Sequence, residues 1–156
     1  MANLIQKQFE LTRGYLLKTV ERISANTAGI QPEGFNNTIH WQIGHVLTVT
    51  EQFMFGFPQQ SVNLPENYIS LFGNGTKPAD WGEEVPSIEE LLLLLKSQAV
   101  RLREIPADRF SEKLPKPIMG FETYGELAGM SLFHEAHHLG QIHTMNRMIK
   151  QATVNS

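Results

Sequence analysis

A chain of 156 residues, 41% hydrophobic and 19% charged, is long enough to bury a core of its own as one domain and too apolar to stay disordered. Sixteen acidic residues against thirteen basic ones leave a formal charge of -3, and no basic cluster interleaves with aromatics, which argues against nucleic acid or an anionic membrane as partner. The absence of cysteine excludes disulfides, a thiol nucleophile and thiolate ligation, so a metal would have to sit on His, Asp or Glu.

Met1 to Glu10 lacks the apolar core of a signal peptide, and the longest leucine run is Leu91 to Leu95, so a cytoplasmic protein without a membrane span is expected. Prolines at 32, 58, 65, 78, 86, 106, 115 and 117 leave four long proline-free stretches, each able to hold a helix. In the first, Ile5, Phe9, Leu16, Val20 and Ile23 recur at helical steps and predict a helix from about residue 3 to 25. In the second, Asn36, Asn37 and Thr38 are N-cap residues for a helix through Ile39, Ile43, Val46, Leu47, Val49, Phe53 and Met54, ending about Gly56.

Residues 57 to 86 carry four prolines and the turn-forming Gly73, Asn74 and Gly75. Such a connection is far longer than the roughly 2–8 residues that join antiparallel helices. It reads as a crossover over one end of a bundle, with a short helix around Glu66 to Leu71 and a position suited to a lid. Ser87 and Glu90 then form a capping box for a third helix, followed by Ile88, Leu91, Leu92, Leu95, Ala99 and Leu102 and stopping near Pro106. Thr123 and Glu126 form a second box, opening the longest helix, to about Lys150. With no alternating strand pattern and no repeat, the expected class is all-α: a four-helix bundle with a long crossover between helices 2 and 3, one domain over residues 1–156.

The chemistry concentrates in the histidines. At about 100° per residue, Leu127, Met130, His134, His138, Gln141, Met145 and Ile149 share one stripe of the last helix. His134 and His138 are four apart, about 6 Å along the axis and pointing the same way, a spacing that grips one metal ion. A single histidine in a core is ordinarily satisfied by backbone or side-chain partners. Two at this spacing, with more on another helix, favour a metal, because buried imidazoles need partners and one cation serves several. Periodicity does not choose the third ligand, since His40 and His45 flank the apolar stripe of the second helix on opposite sides. His137 borders the ligand face, and His143 projects away from it.

The segments 37–47, NTIHWQIGHVL, and 134–142, HEAHHLGQI, resemble the paired signature of the DinB-like superfamily of metal-binding four-helix-bundle proteins. The resemblance covers nearly the whole chain in length and order. It implies that His45, His134 and His138 bind one divalent ion. It also implies a small-molecule substrate or a thiol cosubstrate, since characterised relatives include transferases that activate low-molecular-weight thiols and isomerases that depend on them. A homodimer is implied in the same way.

Three protein ligands leave a position for water or substrate, as in catalytic zinc sites. The expected nucleophile is the metal-bound water or thiol, with no side chain in a further catalytic role. A thiol S-transferase is the preferred expectation. The alternatives are a metal- or small-molecule-binding stress protein without turnover, a metal-dependent hydrolase, and a helical interaction domain with incidental histidines. Nitrogen donors suit zinc, with nickel a rival. His137, Gln141 and Glu51 are candidates for supporting the ligands, and Trp41, Phe55 and Trp81 for lining a pocket.

His134-Glu135-Ala136-His137-His138 also matches the H-E-x-x-H pattern of zinc peptidases. Its required context is missing: residues 139–156 contain no Asp or Glu, and Gln141 and Thr144 stand where glycine and histidine would be needed. Glu135 is expected to be solvated or beside the ligands. Glu135 with His138 makes one E-x-x-H unit, where a di-iron bundle needs two.

Overall fold

The computed structural model describes residues 2–57 and 59–156; Pro58, the first proline of the expected crossover, lies outside them. The elements in chain order are α1 (Ala2–Val20), α2 (Ala25–Ala28), α3 (Ile39–Phe55), α4 (Tyr68–Phe72), α5 (Ile88–Arg103), β1 (Lys113–Ile118), β2 (Phe121–Thr123) and α6 (Tyr124–Val154). Short 3-10 turns at Pro78–Asp80 and Ala107–Ser111 punctuate the connections.

Local chemistry starts the long helices where expected. The Thr38 hydroxyl accepts from the Trp41 amide at 3.2 Å and caps α3. Complete capping boxes, Ser87 with Glu90 and Thr123 with Glu126, open α5 and α6. The first helix is shorter than expected. It ends at Val20, and Ser24 caps the separate α2. Ile23 is nevertheless buried, so the apolar rhythm runs on through a turn and imitates a longer helix.

The fold is mainly helical, in keeping with the expected class, and adds one element that the sequence reading did not contain, the antiparallel hairpin β1–β2, which leads straight into α6. The hairpin has no two-residue alternation to reveal it, and β1 contains Pro115 and Pro117, which an edge strand tolerates. Its turn is Met119–Gly120, with φ of 53° and 87°, the positive values that a two-residue hairpin turn demands.

α6 packs on α1 and α3, and α5 packs on the same two helices. Side-chain partners give the directions. Arg13 meets Glu135 and Thr19 meets His143, so α1 and α6 run the same way. Gln98 reaches Leu47 and Arg101 reaches Glu51, so α3 and α5 also run together. Consecutive helices that run parallel need a connection as long as themselves, which is why residues 57–86 are so extended.

Two apolar clusters fill the interior, one around Leu16, Ile43, Leu91 and Ile142, the other around Phe9, Met54, Leu102 and Leu127. Between them lies a buried polar layer with one residue from each long helix: Arg13, Glu51, Gln98 and Glu135. Arg13 grips both oxygens of Glu135 at 2.7 and 2.9 Å and donates to Gln98 at 2.8 Å; Gln98 donates to Glu51 at 2.7 Å. The layer fixes the height at which the helices meet, and the candidate site sits beside it.

Candidate metal centre

His45 on α3 faces His134 and His138 on α6, and one ring nitrogen from each lies within 4.8 Å of the others. Ring centroids are 4.5–4.9 Å apart. The four-residue spacing puts the α6 pair on one face, and the antiparallel crossing of α3 brings His45 against it. His45 and His138 are buried and His134 is half-buried. His40 is elsewhere: its Nε2 is 2.8 Å from the Pro86 carbonyl, and its ring meets Trp81 edge-on.

Each ring is oriented by a neighbour. His45 Nδ1 donates to the Phe72 carbonyl at 2.6 Å, which leaves the lone pair on Nε2. Trp41 stacks flat on the same ring, at 4.4 Å and 14°. His138 Nδ1 hydrogen-bonds to Gln42 Oε1. His134 Nε2 stands 3.0 Å from His45 Nε2, and its buried Nδ1 has no hydrogen-bond partner among the described residues.

Burial disfavours the charged imidazolium in all three rings. It lowers the pKa of His45, against the opposing effect of the bond to Phe72. Burial and the neighbouring His45 and His137 push His134 down to about 4. Burial and the charges of His134, His45 and His137 push His138 down to about 3. At neutral pH the cluster therefore presents neutral imidazoles, the form that coordinates metals.

These residues fit a divalent cation. One nitrogen is orphaned in a buried position, two more face each other, and the spread can be spanned by bonds of about 2.0–2.1 Å after a small adjustment of the rings. An all-nitrogen set suits zinc, nickel, copper or iron and not the oxygen-seeking calcium and magnesium.

The other residues singled out from the sequence are dispersed. Gln141 accepts from Gln42 at 2.6 Å and donates to the exposed His137 at 2.9 Å, so both are linked to His138 through Gln42. Glu51 takes hydrogen bonds from Arg101, Gln98, Ser61 and Asn63, none of them from the histidine cluster. Burial raises its pKa, but those donors together outweigh it and hold the carboxyl below the usual range. Glu135 is neither solvated nor beside the ligands: it is fully buried with both oxygens on Arg13. His143 is exposed, 3.0 Å from the Thr19 hydroxyl.

Of the three aromatics expected around a pocket, only Trp41 touches the cluster. Trp81 packs on Phe72 and His40, and Phe55 lies under the Arg101 guanidinium. A cavity of about 670 Å³ does open under the crossover, lined by Thr48, Gln52, Leu64 and Tyr68 among others, beginning three residues along α3 from His45. Sequence reasoning missed Gln42, Arg13 and the Phe72 carbonyl. A glutamine three residues before His45 on a largely apolar helix was the available signal for the first; a backbone carbonyl from a distant turn leaves none.

The family model described as the DinB superfamily matches residues 8–142. Among solved structures, the chain is similar to one titled as the conserved protein of locus from Enterococcus faecalis, with 14% identity, 97% of this chain and 98% of that one covered, and a TM-score of 0.64. That likeness shows the fold alone. No curated protein matches the chain.

Proposed function

Since the chain belongs to the DinB superfamily, we propose that its four long helices form the four-helix bundle of that family and hold one divalent metal ion on His45, His134 and His138, in the service of a metal-dependent enzyme. The observation that carries this reading is the convergence of three neutral imidazoles from two helices, with His45 and His138 each tied through Nδ1 so that Nε2 faces the cluster. A cation bound there would act as a Lewis acid, acidifying a water or thiol in contact with it.

The protein's own part is to bind and orient. Phe72 and Gln42 hold two of the rings, Trp41 covers one face of His45, and the buried surroundings keep the imidazoles neutral. A thiol S-transferase using a low-molecular-weight thiol is the preferred activity, because the chain has no cysteine of its own and the layer beside the cluster offers no free base. Hydrolysis of the H-E-x-x-H kind is disfavoured: Glu135, which would have to activate water, has both oxygens on Arg13. Zinc is the proposed ion and nickel the rival; a small-molecule substrate, a homodimer and a cytoplasmic location complete the proposal. Among the described residues no helix is long and apolar enough to cross a membrane.

A reading without turnover, as a metal- or small-molecule-binding protein, is favoured by one observation: the 670 Å³ cavity is lined by α3 and crossover residues and by none of the three histidines. Plasma mass spectrometry of untagged protein is the test, on wild type and on His45→Ala, His134→Ala, His138→Ala and His40→Ala. About one ion per chain, lost in the first three variants only, supports the site, and turnover of a thiol with an electrophile in the loaded protein then separates enzyme from binding protein. A wild type that stays metal-free after reconstitution overturns the proposal.

A further inference from the structure

We infer that Gln42 is a positioning residue that decides which nitrogen of His138 is offered to a ligand, and that Gln141 and Asn37 in turn decide the orientation of Gln42. The relevance to metal binding rests on the function proposed above; the hydrogen-bond argument does not.

Gln42 is fully buried, and its amide has two N–H donors and one carbonyl acceptor. Both donors are committed. Nε2 is 3.0 Å from Asn37 Oδ1 and 2.6 Å from Gln141 Oε1. What remains to face His138 is the carbonyl oxygen, which can only accept, so His138 Nδ1 must carry the proton and Nε2 the lone pair. Turning the Gln42 amide over would set its oxygen against the oxygens of Asn37 and Gln141 and its N–H groups against the His138 proton.

The neighbours resist the reversal in their turn. Asn37 Nδ2 donates to Asn36 Oδ1 at 3.3 Å, which keeps Asn37 Oδ1 directed at Gln42. Gln141 Nε2 donates to His137 Nε2 at 2.9 Å, which keeps Gln141 Oε1 directed at Gln42. Three amides would have to turn together to offer His138 a donor. The result is a row of hydrogen bonds with one polarity, pointing from His138 through Gln42 and Gln141 to the surface ring of His137. The row spends the Nδ1 proton of His138 and leaves Nε2 directed toward His45 and His134. His45 is set in the same sense by the Phe72 carbonyl, and among the described residues His134 Nδ1 has no such support, so the amide row governs the His138 arm.

The test reads the tautomer directly, on metal-free protein with ¹⁵N-labelled histidine, by long-range ¹H–¹⁵N correlation at neutral pH. Wild type is expected to show His138 protonated on Nδ1. Gln42→Met, close in size and without polar hydrogens, is expected to lose that preference and to weaken Zn²⁺ binding, measured by competition with a chelating dye, by about 10- to 100-fold. Gln42→Glu, which can only accept, is expected to keep the Nδ1 proton on His138, with the Asn37 and Gln141 amides turned to donate to its second oxygen. Such rescue separates tautomer control from mere packing. Wild-type His138 protonated on Nε2, or a tautomer unchanged in Gln42→Met, overturns the inference. Because the spectra are taken without metal, a wild type that binds no Zn²⁺ sinks the proposed function while the role of Gln42 is still decided.

Discussion

The carbonyl oxygen of Phe72 accepts the Nδ1 proton of His45 at 2.6 Å, and the two residues meet because position 44 has no side chain. A Cβ on Gly44 would stand 2.3 Å from the Phe72 ring. Gly44→Ala should therefore push α4 away from α3, costing about 1–3 kcal/mol as an overpacked core does, and release the His45 ring. Urea unfolding paired with a zinc titration checks it. A loss of stability with unchanged zinc affinity would show that the Phe72 carbonyl is unimportant to the site.

The buried pair Arg13–Glu135 should behave as a unit. Glu135→Gln leaves the Arg13 guanidinium, 2% exposed, without its countercharge and should cost about 3–5 kcal/mol. The double variant Arg13→Met, Glu135→Leu removes both charges and should recover most of that loss. A double variant as unstable as the single one would place the value of the pair in its link to Gln98 and the Leu95 carbonyl instead.

The metal-stripped protein should lose stability on mild acidification. Burial holds His134 at about 4 and His138 at about 3, whereas in the unfolded chain both titrate near 6.5. The unfolded state thus binds more protons below pH 6.5, so stability is complete above that pH and declines as pH falls toward 4. Glu51, held low in the fold, adds its own loss only below about 4.5. Thermal melts in chelator from pH 8 to 5 should show Tm falling below 6.5, with a shallower fall in His138→Ala. A flat Tm from 7 to 5 would contradict the burial of these rings.

Met119 holds the left-handed region with φ 53°, where a side chain without local hydrogen bonding costs about 1–2 kcal/mol. Met119→Asn should recover part of that and raise Tm, and Met119→Val should lower it. Equal melting of the three proteins would mean that the hairpin frays before the helices do.

The residues that reported themselves in the sequence were those whose cause is local. Caps at Thr38, Ser87 and Thr123 are side chains bonded within one turn, and the face shared by His134 and His138 follows from helix geometry. Anything fixed by a distant partner was silent or misleading. Glu135 has a surface-type side chain, and only Arg13, 122 residues away, makes it a core residue. The choice between His40 and His45 likewise depended on which side of α3 meets α6. Resemblance favoured His45, and the fold puts that residue in the cluster. The hairpin went unseen because its strands are short, carry prolines and join through a methionine where glycine or asparagine is usual.

The carboxylate of Glu51 is where the crossover is anchored: Ser61 and Asn63 from the loop bond to the same group that Arg101 and Gln98 hold from α5. A long segment moored to the helices at a few points, Glu51, His45 and Trp41 among them, is held there and free to vary between them. Its exposed stretches can be exchanged, and the space beneath it reshaped, so long as a hydroxyl and an amide return to that carboxylate, a carbonyl to His45, and apolar side chains to the places of Tyr68 and Phe72.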